Sequence, residues 1–307
     1  MSLYIGIDVG GTTIKGIVLD GGGKLCLEDS IVTGAGEEIA VNAVTLINRM
    51  RNAVKGEYAG VGIGCAGAID SENGSVVFAG NLKLKNFPLA KIISEKTGLP
   101  AKITNDANAA ALGEARFGAG KEYTDSVLVT LGTGVGGGIV IGGKLFEGNK
   151  SVGAELGHMV IEFGGNKCSC GRRGCFEAYS SATALIKRTK WAMEEDPGSE
   201  MWNTYTSETV SGKTAFEYAE TDIAASEVVD WYIKYLACGL INIANVIRPQ
   251  VIMLGGGVSG QRERLTAPLQ AIIDRETFAS HFAPVKITTA TLGSSAGAYG
   301  AAALLMH

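Results

Sequence analysis

The sequence predicts an α/β protein built from two related domains. The chain has 307 residues, 46% of them hydrophobic, which is enough material for two separate cores. Apolar strands alternate along it with segments of helical spacing, such as residues 37 to 54. A strand, a glycine turn and a second strand begin at Tyr4 and occur again at Val127, about 120 residues later, and such a repeat indicates a duplicated domain.

The charge and the cysteine content argue against several classes of protein. A net charge of −4 disfavours a general affinity for nucleic acid or for anionic membranes. The most apolar long segment, residues 224 to 247, contains charged and amide side chains, so we interpret it as a buried helix and not a membrane span. We find no secretory signal, and Cys26, Cys65 and Cys238 lie in apolar segments. We therefore expect these three cysteines to be reduced core residues and the protein to be cytoplasmic.

The segment from residue 155 to residue 177 has the residue types and spacing of a metal site. One imidazole and three thiols fall close together, namely His158, Cys168, Cys170 and Cys175. This is the closed four-ligand set that tetrahedral Zn²⁺ takes in structural sites, and Gly171 and Gly174 allow the chain to curl back. Glu155 and Glu177 are not needed by the metal, and a polyol substrate is one candidate for them.

Three glycine-rich turns follow predicted strands. The residues at the first turn are Asp8, Gly10, Gly11, Thr12, Thr13 and Lys15. Those at the second turn are Gly132, Thr133 and Gly134, and those at the third are Gly255, Gly256 and Gly257. Small residues let backbone N–H groups turn toward an anion, so two such turns facing each other would bind a polyphosphate. Asp8 ends an apolar strand and could hold Mg²⁺ through water, although an aspartate there can also simply hydrogen-bond the turn.

The spacing Gly132-x-Gly134-x-x-Gly137 also matches a dinucleotide-binding fingerprint. That fingerprint requires a helix directly after the glycines, so that the helix amino terminus meets the pyrophosphate. Residues 139 to 141 followed by Gly142-Gly143 instead predict a strand that ends in a turn. We therefore disfavour a dehydrogenase.

Asn105-Asp106 directly follows a predicted strand and begins a helix that runs to about Phe117. Asp106 could be an ordinary helix cap. Because the pair follows a strand, both side chains can instead point toward a ligand-binding cleft. The helix dipole would lower the pKa of Asp106 and keep it ionised.

These motifs resemble the bacterial glucokinases of the repressor, open reading frame and kinase (ROK) family over essentially the whole chain. The resemblance is carried by Asp8-x-Gly10-Gly11-Thr12-x-x-Lys15, Asn105-Asp106, the signature from Leu131 through Gly148 to Gly157-His158, the cysteine segment up to Glu177, and Leu254-Gly-Gly-Gly257. It implies an actin-like ATPase fold, with two duplicated ribonuclease-H-like α/β domains and an active-site cleft between them. We expect a small domain at 1–118, a large domain at 119–295 with the zinc segment, and a terminal helix at about 296–307 packed on the small domain.

The resemblance also implies a function. The family's reaction is ATP-dependent phosphorylation of a hexose, here most simply of glucose to glucose 6-phosphate, with the ATP phosphates on the first two glycine turns and Mg²⁺ bound. Asp106 would be the base that acts on the sugar hydroxyl. The implied sugar-binding residues are Gly67, Asn81, Asn105, Asp106, Glu155, His158 and Glu177. His158 would contact both zinc and sugar, and we expect a homodimer or homotetramer.

Two alternatives stay open. Family members often have a tryptophan near the position of Leu84, and its absence here leaves N-acetylglucosamine, N-acetylmannosamine and fructose as alternative substrates. The other alternative is a non-catalytic sugar-sensing regulator, which the retained glycine turns and Asp106 disfavour. Many relatives are repressors with an amino-terminal helix-turn-helix, but here a strand begins at Leu3, so we expect no DNA-binding domain.

Overall fold

A computed structural model of the chain describes residues 2–306. These residues form thirteen strands, nine α-helices and several short 3₁₀ turns, joined by loops. The strands are β1 (Leu3–Val9), β2 (Thr13–Leu19), β3 (Leu25–Val32), β4 (Tyr58–Cys65), β5 (Ala68–Asp70), β6 (Ser75–Ala79), β7 (Leu84–Phe87), β8 (Ala101–Asn105), β9 (Ser126–Leu131), β10 (Val135–Ile141), β11 (Lys144–Phe146), β12 (Val251–Gly255) and β13 (Lys286–Thr289). The helices are α1 (Glu38–Ala53), α2 (Leu89–Thr97), α3 (Asp106–Phe117), α4 (Glu177–Ser180), α5 (Ala182–Glu195), α6 (Thr214–Tyr218), α7 (Ile223–Ile247), α8 (Glu263–Glu276) and α9 (Ala296–Ala303).

Two five-stranded sheets share one topology. Their strand orders are β3-β2-β1-β4-β8 and β11-β10-β9-β12-β13, so each sheet reads 3-2-1-4-5 in its own strands. This identity confirms the duplication that the repeated strand, turn and strand predict. The second glycine turn leads directly into strand β10, which excludes the helix that a dinucleotide fingerprint needs. A separate three-stranded sheet has the order β5-β6-β7.

The chain forms two compact units, each discontinuous in sequence. The first unit contains the chain up to Leu128, Gly138–Ala154 and the chain from Thr291 onward. The second unit contains Val129–Gly137 and Glu155–Ala290. The domain limits expected at 118/119 and 295/296 remain a prediction, because a division by spatial contacts does not test which segments fold independently.

In the first unit, α9 packs on β1, β4 and α3 with backbone against backbone. A Cβ atom built on Gly6 would lie 1.9 Å from the carbonyl oxygen of Ala298, and one built on Gly62 would lie 1.7 Å from that of Ala301. A Cβ on Gly300 would lie 1.6 Å from the carbonyl oxygen of Ala109 in α3. Only glycine allows this approach, which packs α3, α9 and the sheet tightly against one another.

The structure corrects the expectation that three cysteines lie in the core, and it shows that the apolar segment is a helix. All six cysteines are free thiols, but Cys26 is exposed on β3 and Cys238 is only half-buried, so of the three expected core cysteines Cys65 alone is buried. The apolar segment is helix α7, which begins after Asp222, whose side chain accepts a hydrogen bond from the backbone N–H of Ala225. Among residues 2–306, no helix combines the length and apolar character needed to cross a bilayer.

Candidate active site

The first unit brings polar residues to the carboxyl ends of three parallel strands. Strands β1, β4 and β8 pair in parallel, with Asp8 opposite Gly64 and Gly64 opposite Thr104. One position further along, Cys65 lies opposite Asn105, the last residue of β8. The carboxyl ends of parallel strands are where α/β proteins bind their ligands.

Asn105 caps helix α3. Its side-chain oxygen accepts hydrogen bonds from the backbone N–H groups of Ala107 at 2.9 Å and Asn108 at 3.3 Å. Its Nδ2 donates to the carbonyl oxygen of Gly67 at 3.0 Å, which links the end of β8 to the loop after β4. The capping role therefore belongs to Asn105 and not to Asp106, the first residue of the helix.

The pKa of Asp106 is raised above the usual aspartate value, so the expected lowering by the helix dipole is wrong. Burial is the main cause, and the hydrogen bond from the N–H of Ala107 only partly opposes it. Burial also raises the pKa of Asp8 to about 7, with a second contribution from the negative charge of Asp106 and an opposing one from Lys15. A carboxylate in this condition favours a nearby cation, so Asp8 fits a divalent metal ion.

The first glycine turn offers open backbone. The N–H of Gly10 donates to the carbonyl of Thr13 at 3.2 Å, which closes the turn. A Cβ on Gly11 would meet no atom within 4 Å, so a phosphate group can approach this side of the turn. The Nζ of Lys15 lies 3.2 Å from the carbonyl oxygen of Ser294 and donates to it, which positions the lysine near the start of α9. Asn81 is exposed on a 3₁₀ turn between β6 and β7.

In the second unit, the second glycine turn rests on the amino terminus of α5. The N–H of Gly132 donates to Gly134 O at 3.0 Å, and the N–H of Ala182 donates to Gly132 O at 2.8 Å. The hydroxyl of Thr183 donates to Thr133 O, also at 2.8 Å. A Cβ on Gly132 would face open space, so this turn too can receive a phosphate.

The Glu177 carboxylate joins this turn to the cysteine segment. One oxygen accepts from the backbone N–H of Val135 at 3.1 Å, and the other accepts from the hydroxyl of Ser169 at 2.9 Å. A Cβ on Gly134 would lie 2.3 Å from Oε2 of Glu177, so a side chain there would displace the carboxylate from this position. In the third turn, Gly256 has φ 81° and a Cβ would lie 2.5 Å from Leu131 O.

The four predicted metal ligands converge. One possible ligand atom from each of His158, Cys168, Cys170 and Cys175 lies within 4.8 Å of the others. The Sγ atoms of Cys170 and Cys175 are 3.7 Å apart, and so are Cys168 Sγ and His158 Nδ1. Tetrahedral Zn²⁺ with Zn–S bonds of about 2.3 Å requires sulfur atoms about 3.8 Å apart, so the cluster fits zinc.

The local conformation and the thiol pKa values also fit a metal. Gly171 and Gly174 have φ values of 90° and 79°, which allow the predicted curl. Burial raises the pKa of Cys175 to about 12, so its thiolate requires a cation at neutral pH. The backbone N–H of Arg172 lowers the pKa of Cys170. The N–H of His158 donates to Glu155 O at 3.0 Å, so both residues lie on one 3₁₀ turn.

Glu147 is a residue that the sequence motifs do not single out. One carboxylate oxygen accepts a hydrogen bond at 2.6 Å from the hydroxyl of Thr104, the residue before Asn105. The other accepts from Ser71 at 3.2 Å, and the Ser71 hydroxyl is also bonded to that of Ser151. Glu147 therefore ties β8 to two loops of the first unit. In the sequence, Glu147 is marked only by its place in the glycine-rich signature, and that place does not reveal its hydrogen-bond partners.

We expect Glu147→Ala to destabilise the protein by about 1–3 kcal/mol, because the buried hydroxyl of Thr104 loses its acceptor. Glu147→Gln is the matched control, since its side-chain oxygen can still accept from Thr104, and it should lose less. Urea unfolding at neutral pH measures both. Equal stability of Glu147→Ala and the parent protein would contradict this role.

Comparison with known proteins places the chain in a family. The ROK family model matches residues 4–307. The glucokinase of Halalkalibacterium halodurans is 35% identical over 306 residues, which cover 97% of this chain and 93% of that protein. The xylose repressor of Caldicellulosiruptor bescii is 32% identical over 98% of this chain and 77% of its own length. The structure of a ROK glucokinase from Streptomyces griseus in complex with glucose and AMPPNP has a TM-score of 0.80 and 34% identity, with 99% of both chains covered.

Proposed function

This chain belongs to the ROK family and is an ATP-dependent sugar kinase, and we propose that it phosphorylates glucose to glucose 6-phosphate. The observation that carries the proposal is the arrangement at the end of β8. There Asn105 caps the helix, which leaves the half-buried Asp106 carboxylate available for chemistry. The relatives described as glucokinases support glucose as the acceptor.

We assign Asp106 as the general base. Phosphoryl transfer passes through a loose transition state, so the base mainly orients the hydroxyl and accepts its proton late in the reaction. Burial raises the pKa of Asp106, which makes the ionised carboxylate a better proton acceptor than an exposed aspartate. Asn105 binds a second hydroxyl or holds the base in place through its bond to Gly67 O.

We assign the ATP phosphates to the first two glycine turns and the nucleoside to the turn at Gly255, Gly256 and Gly257. Asp8 would hold Mg²⁺, which neutralises charge on the phosphates when it is bound. The open space beside Gly11 and Gly132 supports these assignments. Lys15 and the hydroxyls of Thr12, Thr13 and Thr133 supply further donors at the turns.

We assign the cysteine cluster to a structural zinc ion, since four protein ligands leave no open position for water. With Nδ1 of His158 facing Cys168, the other ring nitrogen is free to bind a sugar hydroxyl. Glu155, Glu177, Gly67 and Asn81 are the remaining proposed sugar contacts. The reaction would take place in the cytoplasm, where ATP is available.

The acceptor is tested by a panel of sugars in a coupled assay of ADP release. We expect the highest kcat/KM for glucose, compared with fructose, N-acetylglucosamine and N-acetylmannosamine. A higher value for another sugar would replace glucose as the acceptor. Sugar binding without turnover on any sugar would favour the sensing function, which the similarity to a xylose repressor keeps as a second candidate. The expected homodimer or homotetramer and the absence of a nucleic-acid partner stay predictions.

We expect Asp106→Asn to lower kcat by about 10²- to 10⁴-fold, because the amide cannot accept the hydroxyl proton. Glucose affinity, measured by isothermal titration calorimetry, should stay within a few-fold because the amide preserves the shape of the side chain. Asp20→Asn, in an exposed turn of the same unit, is the matched control and should retain full activity. Retained turnover in Asp106→Asn would remove the residue from its assigned role.

We expect the purified protein to hold one zinc ion per chain and Cys175→Ser to hold almost none. Inductively coupled plasma mass spectrometry measures the metal. Cys26→Ser replaces an exposed cysteine outside the cluster and should keep its zinc. Stoichiometric zinc in Cys175→Ser, or a protein prepared without chelators that lacks zinc, would refute the assignment.

A further inference from the structure

The second unit contains a cavity of about 710 Å³ beside the second glycine turn. Its lining includes Thr133 and Gly134 and also side chains that the reaction does not use, namely Lys167, Lys187, Arg188, Trp191 and Trp231. This volume lies in the range of small-molecule binding sites. Two of the chain's three tryptophans line it.

Arg188 is held between the two tryptophan rings. The centre of its guanidinium lies 4.0 Å from the ring centroid of Trp191 and 5.9 Å from that of Trp231. Trp231 is braced in turn by Tyr235, whose ring centroid is 5.2 Å away. Stacking fixes the plane of a guanidinium and leaves the donors on its edge free to bind an anion.

This cation has no anionic partner in the part of the chain that the structure describes. Its Nε is buried and has no hydrogen-bond acceptor among the described residues. Arg188 and Trp191 also line a smaller neighbouring pocket that contains Glu195, Asp196 and Glu227. None of these carboxylates forms an ion pair with Arg188 within 4.0 Å. An anion bound in the cavity would supply acceptors for the guanidinium of Arg188.

The other charges of the cavity favour an anion as well. The side chains of Lys167 and Lys187 are exposed, and within residues 2–306 neither forms an ion pair. The one carboxylate in the lining belongs to Glu177, which already accepts hydrogen bonds from Val135 and Ser169. Three cations against one engaged carboxylate give the cavity a net positive charge.

We propose that this cavity binds a sugar phosphate, with the phosphate group on Arg188, Lys187 and Lys167 and the sugar against the tryptophan side. Guanidinium and ammonium groups are the side chains that bind phosphate esters, and indole rings pack against the apolar faces of sugars. The choice of a hexose 6-phosphate as the ester rests on the proposed function, because it is the product of that reaction. The charges and the stacked guanidinium of the cavity do not depend on that function.

Intrinsic tryptophan fluorescence tests the proposal, because Trp191 and Trp231 report on the cavity directly. Glucose 6-phosphate is titrated without ATP and with saturating glucose, so that the proposed acceptor site is already filled. We expect a saturable change in fluorescence. Inorganic phosphate and ADP are titrated in parallel to separate the ester from its phosphate group alone and from a nucleotide.

The matched variants are Lys187→Glu and Lys190→Glu, two charge reversals on helix α5. Lys187 lines the cavity and Lys190 does not, and Lys187 is exposed without an ion pair, so the change should not prevent folding. We expect at least tenfold weaker binding in Lys187→Glu and unchanged binding in Lys190→Glu. Arg188→Gln should also weaken binding, and circular dichroism checks its fold.

The outcomes separate this site from the proposed function. No saturable response to glucose 6-phosphate, or equal affinity in Lys187→Glu and the parent, would overturn the site even if sugar turnover is normal. Equal or tighter binding of inorganic phosphate or ADP would overturn the assignment to a sugar phosphate. Binding that depends on Lys187 in a protein without kinase activity would support the cavity and refute the proposed function.

Discussion

The close approach of helix α9 to strands β1 and β4 is the constraint on which the first unit depends. Glycine at positions 6 and 62 lets two backbones meet with no side chain between them. The same helix lies against Asp8, since a Cβ on Gly297 would be 2.6 Å from its carboxylate carbon. The packing that fixes the sheet therefore also shields Asp8 from much of the solvent, and this burial is the main cause that raises the pKa of Asp8 to about 7.

In the second unit, the Glu177 carboxylate has a comparable role. It holds the N–H of Val135 at the glycine turn with one oxygen and the hydroxyl of Ser169 in the cysteine loop with the other. The position of the second glycine turn is thus tied to the loop that the metal would organise. A metal with four protein ligands can in this way influence a reaction in which it takes no chemical part.

The sequence predicts the features that are local or repeated. The two glycine turns, the strand after the second turn and the converging set of His158 and three cysteines follow from residue type and spacing, and the structure contains all of them. The repeated motif also predicts the common order of the two sheets. Such features depend on few neighbours, so short stretches of sequence contain the information for them.

The predictions that fail depend on segments distant in sequence. Cys26 lies in an apolar stretch, but β3 is the first strand in the sheet order and leaves its side chain exposed. The role of Glu147 becomes visible only when residues 71, 104 and 151 meet, because their separations along the chain follow no period. Asp106 lies at a helix amino terminus, as predicted, yet its burial outweighs the backbone hydrogen bond that would lower its pKa.

The two half-buried aspartates of the first unit have environments that suit different tasks. Burial is the main cause of the raised pKa of each aspartate. At Asp8 the negative charge of Asp106 raises the pKa further, whereas at Asp106 the backbone hydrogen bond from Ala107 opposes the rise. Two carboxylates that interact in this way do not both ionise easily without a compensating charge. A divalent cation at Asp8 would supply that charge, and its presence would favour ionised Asp106 as well. Asp106 would then be an effective base chiefly when the cation, and with it the phosphate donor, has already bound, which would limit proton removal from the sugar to the complete complex.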